Sequence, residues 1–187
     1  MSAYYFFISS LPHVSLDAPP PMSPDEFLAA CDSNLPAPVA TQLRDVGTAP
    51  RAGACCPTEA KWNDYENCLR NEVARRRADT LERDANEFVK PEQGSYGGLD
   101  TQVQDALGRD PLETEVALDR MRWRFLDDCT VGREFALDTI FVYLVKLLLL
   151  DKRAAADVEA GRAVLEESVQ DMLKNTDMPA AAQTADL

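Results

Sequence analysis

Two carboxylates and a guanidinium, Glu115, Asp119 and Arg122, stand four and three residues apart in DPLETEVALDRMRWRFLDD, residues 110–128. On a helix these spacings place all three in one line, where paired carboxylates can divide the work of general acid and general base. That chemistry needs a pocket and a second reactive group, and neither is visible in the sequence. The same spacing also builds a partly buried ion cluster that fixes helix register, and the pattern favours this reading. Asp119 and Arg122 are then expected to be largely buried, with Arg122 bonded to at least one of Glu115 and Asp119.

The remaining reactive residue types are sparse. His13 is the only histidine and stands beside Pro12, as an exposed loop histidine would. The five cysteines, Cys31, Cys55, Cys56, Cys68 and Cys129, include no CxxC pair and lack the regular spacing of a zinc site. Free thiols in a reducing cytoplasm are expected. GxxxxGK[ST], GxGxxG, GxSxG and HExxH are all missing, as are the ExxH pairs of a di-iron bundle. No catalytic residue, cofactor or metal site is expected, and so no enzyme.

Charge narrows the partners. A formal net charge of −13 over 187 residues argues against nucleic acid, which demands a surplus of Lys and Arg, and against unaided binding to an anionic membrane. Within this acidic chain Arg75, Arg76 and Arg77 are consecutive. They read first as a solvated helix face pairing with nearby Glu and Asp, and second as a docking patch for an acidic partner. Successive positions point around a helix, so they make no stripe. The start, MSAYYFFISSLP, has no Lys or Arg before its apolar run, and IFVYLVKLLLL at 140–150 has 11 residues where a membrane span needs about 20. Neither a signal peptide nor a membrane insertion is expected.

These residues must be held by helices. In SPDEFLAAC, Ser23 caps, Pro24 opens the helix and Glu26 completes a capping box. Further helices are expected at about 37–46, 58–86, 99–107, from Asp110 to Gly132, at 134–150 and at 154–174. The last carries a narrow stripe of Val158, Leu165, Val169 and Met172. Flexible loops are expected near 47–57 and 88–98, and a disordered tail over 175–187. In the helix after Asp110, Leu118, Met121, Phe125, Leu126 and Cys129 fill an arc that Leu112, Val116 and Trp123 widen beyond half the circumference. Such a helix has neighbours on two sides. Residues 135–150 have almost no polar face and read as the central helix. Only YYFFIS has the bias of a strand, and it could equally be a helical turn. The fold class is therefore all-α: one domain over residues 1–174, a bundle of about six to eight helices with a short irregular N-terminal segment.

Four blocks carry a resemblance: YYFFISSLPHVSLDAPPPMSPDEFLAAC, WNDYENCLRNEVARRR, DPLETEVALDRMRWRFLDD and FALDTIFVYLVKLLLLDKRAAADVEAGR. Together, in this order, they resemble a bacterial family of uncharacterised proteins encoded beside V/A-type ATPase subunits. PLE..VALDR.....L at 111–126 and F..D.I..YL.K at 135–146 are more distantly similar to the V/A-type ATPase subunit named C in bacteria and d in eukaryotes. That subunit is all-α and sits between the membrane rotor ring and the central stalk; this chain is much shorter. The resemblance implies a non-catalytic, cytoplasmic subunit, peripheral to the membrane, that couples ATP hydrolysis or synthesis to proton or sodium transport. A free-standing adaptor or assembly factor for the same complex is the other implication. Arg75, Arg76, Arg77 and the aromatics Tyr4, Tyr5 and Phe6 would be its docking residues.

Overall fold

A computed structural model of the chain describes residues 4–91, 94–108, 110–155 and 168–169. Among these there are seven α-helices and no strand: α1 (Tyr5–Ser10), α2 (Pro24–Asn34), α3 (Ala37–Arg44), α4 (Pro57–Thr80), α5 (Leu99–Leu107), α6 (Pro111–Thr130) and α7 (Leu137–Ala154), with a 3-10 turn at Ala85–Glu87. The fold class is all-α, as the periodicity of the sequence requires. The chain divides into two compact units, Met1–Asp151 and Lys152–Leu187. Of the second unit only the end of α7 and a helical pair at 168–169 are described. The tail at 175–187 and most of the expected stripe, Val158, Leu165 and Met172, lie outside the described residues.

The helix starts follow their caps. Ser23 Oγ accepts from the Glu26 amide at 3.1 Å and the Glu26 carboxylate accepts from the Ser23 amide at 2.8 Å, which closes the capping box of α2. The Asp110 carboxylate accepts from the amides of Leu112 and Glu113 and opens α6, with Pro111 at the first helical position. YYFFIS is helical, not extended. Phe7 is its buried residue and packs 6.0 Å from Phe27, whose ring lies 4.9 Å from Tyr143 of α7.

Helix α4 is shorter than the expected 58–86. It stops at Thr80 because the chain turns into a Schellman motif, in which Arg83 N–H donates to Ala78 O (2.9 Å) and Glu82 N–H to Asp79 O (3.3 Å). The turning residue, Glu82, has φ 53°. Helix α7 begins at Leu137 instead of 134 or 135, and Phe135 is 42% exposed in the preceding turn.

Two apolar cores share α7. Phe141, Val142, Val145 and Leu149 join Trp62, Leu69, Val103, Leu118 and Leu126 from α4, α5 and α6. Ile140, Tyr143, Leu144 and Leu147 join Phe7, Phe27, Cys31, Leu35 and Leu43 from the N-terminal third. A helix covered on both sides has no use for a polar face, and that is why α7 reads as continuously apolar. Each large apolar side chain buried this way contributes about 1.5–3 kcal/mol.

Both loops expected to be flexible are tied to α4. Asn63 Nδ2 donates to the carbonyls of Arg51 (3.2 Å) and Gly53 (3.3 Å). Further along, Asn71 bonds both the carbonyl and the amide of Lys90, and Asp64 accepts from Gly94 N–H and the Tyr96 hydroxyl at 3.1 Å each. A Cβ at Gly94 would run into the Asp64 carboxylate, so a larger residue there would have to push that side chain aside.

Candidate functional site

The centre of the molecule is charged. Arg122 of α6 is 9% exposed and sends a fork to Glu66 of α4, Nε to Oε2 at 2.9 Å and Nη2 to Oε1 at 3.0 Å. Its Nη1 donates to Asp119 Oδ1 at 3.0 Å, and Arg70 adds a fourth bond, Nε to Glu66 Oε1 at 2.8 Å. Burial disfavours the guanidinium charge, but Glu66 first and Asp119 second more than offset it, so the Arg122 pKa stands above its ordinary value. Both carboxylates are thus occupied by guanidinium protons. A fork of this kind fixes distance and angle together, so the cluster sets the register of α6 on α4.

Asp119 and Arg122 meet the expectation of burial and direct bonding. Glu115 does not join them in the interior. It is exposed, and so is Leu112 at 63%, because the cluster lies at the level where Glu66 enters, one turn further along α6. The wide apolar arc drawn around α6 is correspondingly too wide at its first turn. Glu66 is the member that sequence reasoning missed. Its signal was present: it stands four residues after Trp62 and three before Leu69, on the apolar stripe of α4.

A second polar centre lies where α4 and α7 begin. Asp138 Oδ1 accepts from Thr58 N–H (3.1 Å), Thr58 Oγ1 (2.5 Å) and Arg133 Nη1 (3.0 Å). Burial alone would raise the Asp138 pKa, but the Thr58 and Arg133 bonds outweigh it and hold the carboxyl below the usual range. Beside it the buried Glu59 accepts from Arg51 Nε (2.6 Å) and from Cys55 N–H (2.5 Å). The five cysteines are free thiols. Among the described residues no group of three or more His, Cys, Asp or Glu is arranged to hold a metal. His13 is exposed in the loop before α2, far in sequence from every thiol it would have to activate.

The three arginines separate. Arg75 pairs with Glu72 along α4. Arg76 and Arg77 have no ion-pair partner among the described residues and border an open cavity of about 580 Å³ with Thr80, Leu81, Gln104 and Leu107. Both α4 and α5 end at this cavity, with Asp79 on its lining, and helix C-termini favour cationic side chains. Of the N-terminal aromatics, Phe6 is 78% and Tyr5 40% exposed, while Tyr4 is half-buried. The Tyr5 ring lies 4.7 Å from that of Phe135, which makes a small aromatic patch.

Lys146, the charge inside the apolar run of α7, is buried as well. It donates to Asp127 and lies 4.7 Å from the centroid of Trp123. Among the described residues no helix is long and apolar enough to cross a membrane.

The buried charged groups are therefore each paired with a neighbouring charge. No curated protein and no solved structure matches the chain. Residues 72–176, which include the end of α4 from Glu72 together with α5, α6 and α7, match the family described as "Protein of unknown function (DUF2764)". The match takes in more than half of the chain, and the chain belongs to that family.

Proposed function

We propose that the chain is a non-catalytic subunit of a V/A-type ATPase, linking the membrane rotor ring to the central stalk. The observation that carries this reading is the place of the two blocks that resemble the rotor-linking subunit of that enzyme. Residues 111–126 are α6, and residues 135–146 supply the start and middle of α7. A part that transmits torque must resist bending and slippage between its helices. Helix α6 is forked to α4 through buried charges, and α7 is enclosed by two cores, so both blocks are anchored in the buried interior of the unit. The satisfied ion pairs of the interior suit a coupling element better than a catalyst. A net charge of −13 favours basic loops on the partners, and Phe6 and Tyr5 offer apolar anchoring at one end.

The test is a reconstituted complex, or a deletion strain, lacking this chain. ATP hydrolysis by the soluble head is expected to persist while ion pumping collapses. Intact pumping would remove the coupling role. Recovery of the chain from partial complexes alone would favour an assembly factor.

A further inference from the structure

We propose that Cys55 and Cys56 form a peroxide-sensitive dithiol whose oxidation to an internal disulfide releases the start of α4 from α7. This inference is independent of the ATPase reading and rests on how the two thiols are placed.

Cys56, the N-cap of α4, is buried at 7% exposure at the edge of a core, and Cys55, the residue before it, is the more open thiol, half-buried behind the exposed stretch Ala52–Ala54. Two residues beyond Cys56, Thr58 makes the two bonds to Asp138 that tie α4 to α7. The Cys55 amide is held by Glu59. The backbone around the two thiols is therefore the anchorage of one helix on another.

The chemistry differs among the thiols. Cys31 is fully buried, and burial pushes it up to about 12. Cys129 is also raised, by burial first. Cys56 is lowered, chiefly by the neighbouring Cys55 thiol, with the Glu59 amide at the helix start also favouring the charged sulfur against the effect of burial. Cys55 is shifted the opposite way, first by the Cys56 sulfur and then by burial, and keeps its proton. A sulfur of thiolate character beside a protonated partner is the arrangement of an attacking and a resolving cysteine.

The step balances. The Cys56 thiolate attacks a hydroperoxide, an S–O bond forms, the O–O bond breaks, and the leaving oxygen takes up a proton. The Cys55 sulfur then displaces the sulfenic oxygen, which departs as water with the Cys55 proton. The dithiol loses two electrons and the peroxide gains them. Neighbouring Cα atoms stand about 3.8 Å apart, whereas disulfides usually need about 4.4–6.8 Å. The ring therefore closes only by distorting the Cys55–Cys56 backbone, which the cap of α4 and the Cys55–Glu59 bond hold in the reduced protein. A bond strained in this way is readily reduced, so the change is reversible.

The experiment treats reduced full-length protein with hydrogen peroxide and reads intact mass, peptide map and thermal midpoint. A loss of two hydrogens mapped to residues 55 and 56 is expected, with a lowered midpoint that dithiothreitol restores. In Cys55→Ser the Cys56 sulfenic acid has no partner and is trapped by dimedone. Cys56→Ser, which keeps a good N-cap and so the fold, should leave Cys55 unmodified at the same dose. Cys129→Ser should respond like the parent chain. First oxidation at Cys129, a disulfide between chains, or a dimedone adduct on Cys55 would each overturn the pairing. A Cys55–Cys56 disulfide that leaves the midpoint unchanged would overturn the release of α4.

Discussion

Arg122 is the residue on which the interior depends most. Truncating it leaves Glu66, with no exposed surface, and Asp119, 2% exposed, as buried carboxylates that have lost their main counter-charge. Losing one partner of such a cluster costs about 3–5 kcal/mol. Arg75 pairs with Glu72 near the surface, and a pair of that kind contributes about 0–1 kcal/mol. Arg122→Ala is therefore expected to lower the urea midpoint far more than Arg75→Ala. Equal and small losses would show that the cluster contributes only as surface charge does. The two halves of this cluster were unequally legible in the sequence. Asp119 and Arg122 are three residues apart on one helix, and spacing alone brings them together. Glu66 is 56 residues away, and only the packing of α4 on α6 supplies it. Glu115 shared the spacing but not the burial, because a helical wheel shows angle and not the height at which a neighbour crosses.

At the scale of elements, the capped starts and the glycine stop of α6 at Gly132 were legible, while the stop of α4 and the start of α7 were not. Ser23, Pro24 and Glu26 announce α2 through the bonds they make, and Asp110 with Pro111 announces α6. The stop of α4 has no such mark, for the residue that reverses the chain is Glu82, where glycine is usual. A left-handed non-glycine residue is strained by about 1–2 kcal/mol. Glycine removes that strain, although its freer unfolded chain returns part of the gain. Glu82→Gly is expected to raise stability by about 0.5–1 kcal/mol. Chemical denaturation should show a higher midpoint with an unchanged slope, and Glu82→Ala should show no gain. A loss on Glu82→Gly would mean that the carboxylate contributes more than the backbone strain costs.

Over the whole unit, the paired charges and aromatic rings of the core are joined, and this sets how the protein answers to alkali. Tyr65 is 6% exposed and its ring stacks on Phe125 at 4.0 Å, one residue away from Glu66 in the ion cluster. Burial first, and the Glu66 charge second, push its phenol up to about 12, against the opposing pull of Arg122. Burial raises Tyr96 and Tyr143 in the same direction. A folded-state value above the unfolded value, about 10, means that the stability is fully present below pH 10 and is lost as pH rises through the folded value. A chain already at −13 gains further negative charge over the same range, so self-repulsion works in the same direction. Tyr65→Phe keeps the stacked ring and removes the ionisable proton. It is expected to leave stability at neutral pH nearly unchanged and to shift the alkaline unfolding limb to higher pH. Circular dichroism melts from about pH 8 to 12 would measure the limb. Phenolate absorbance would show whether the last tyrosines ionise only as the fold is lost. If the limb of Tyr65→Phe overlays that of the parent chain, alkali acts through charge repulsion alone, and the buried phenol has no part in it.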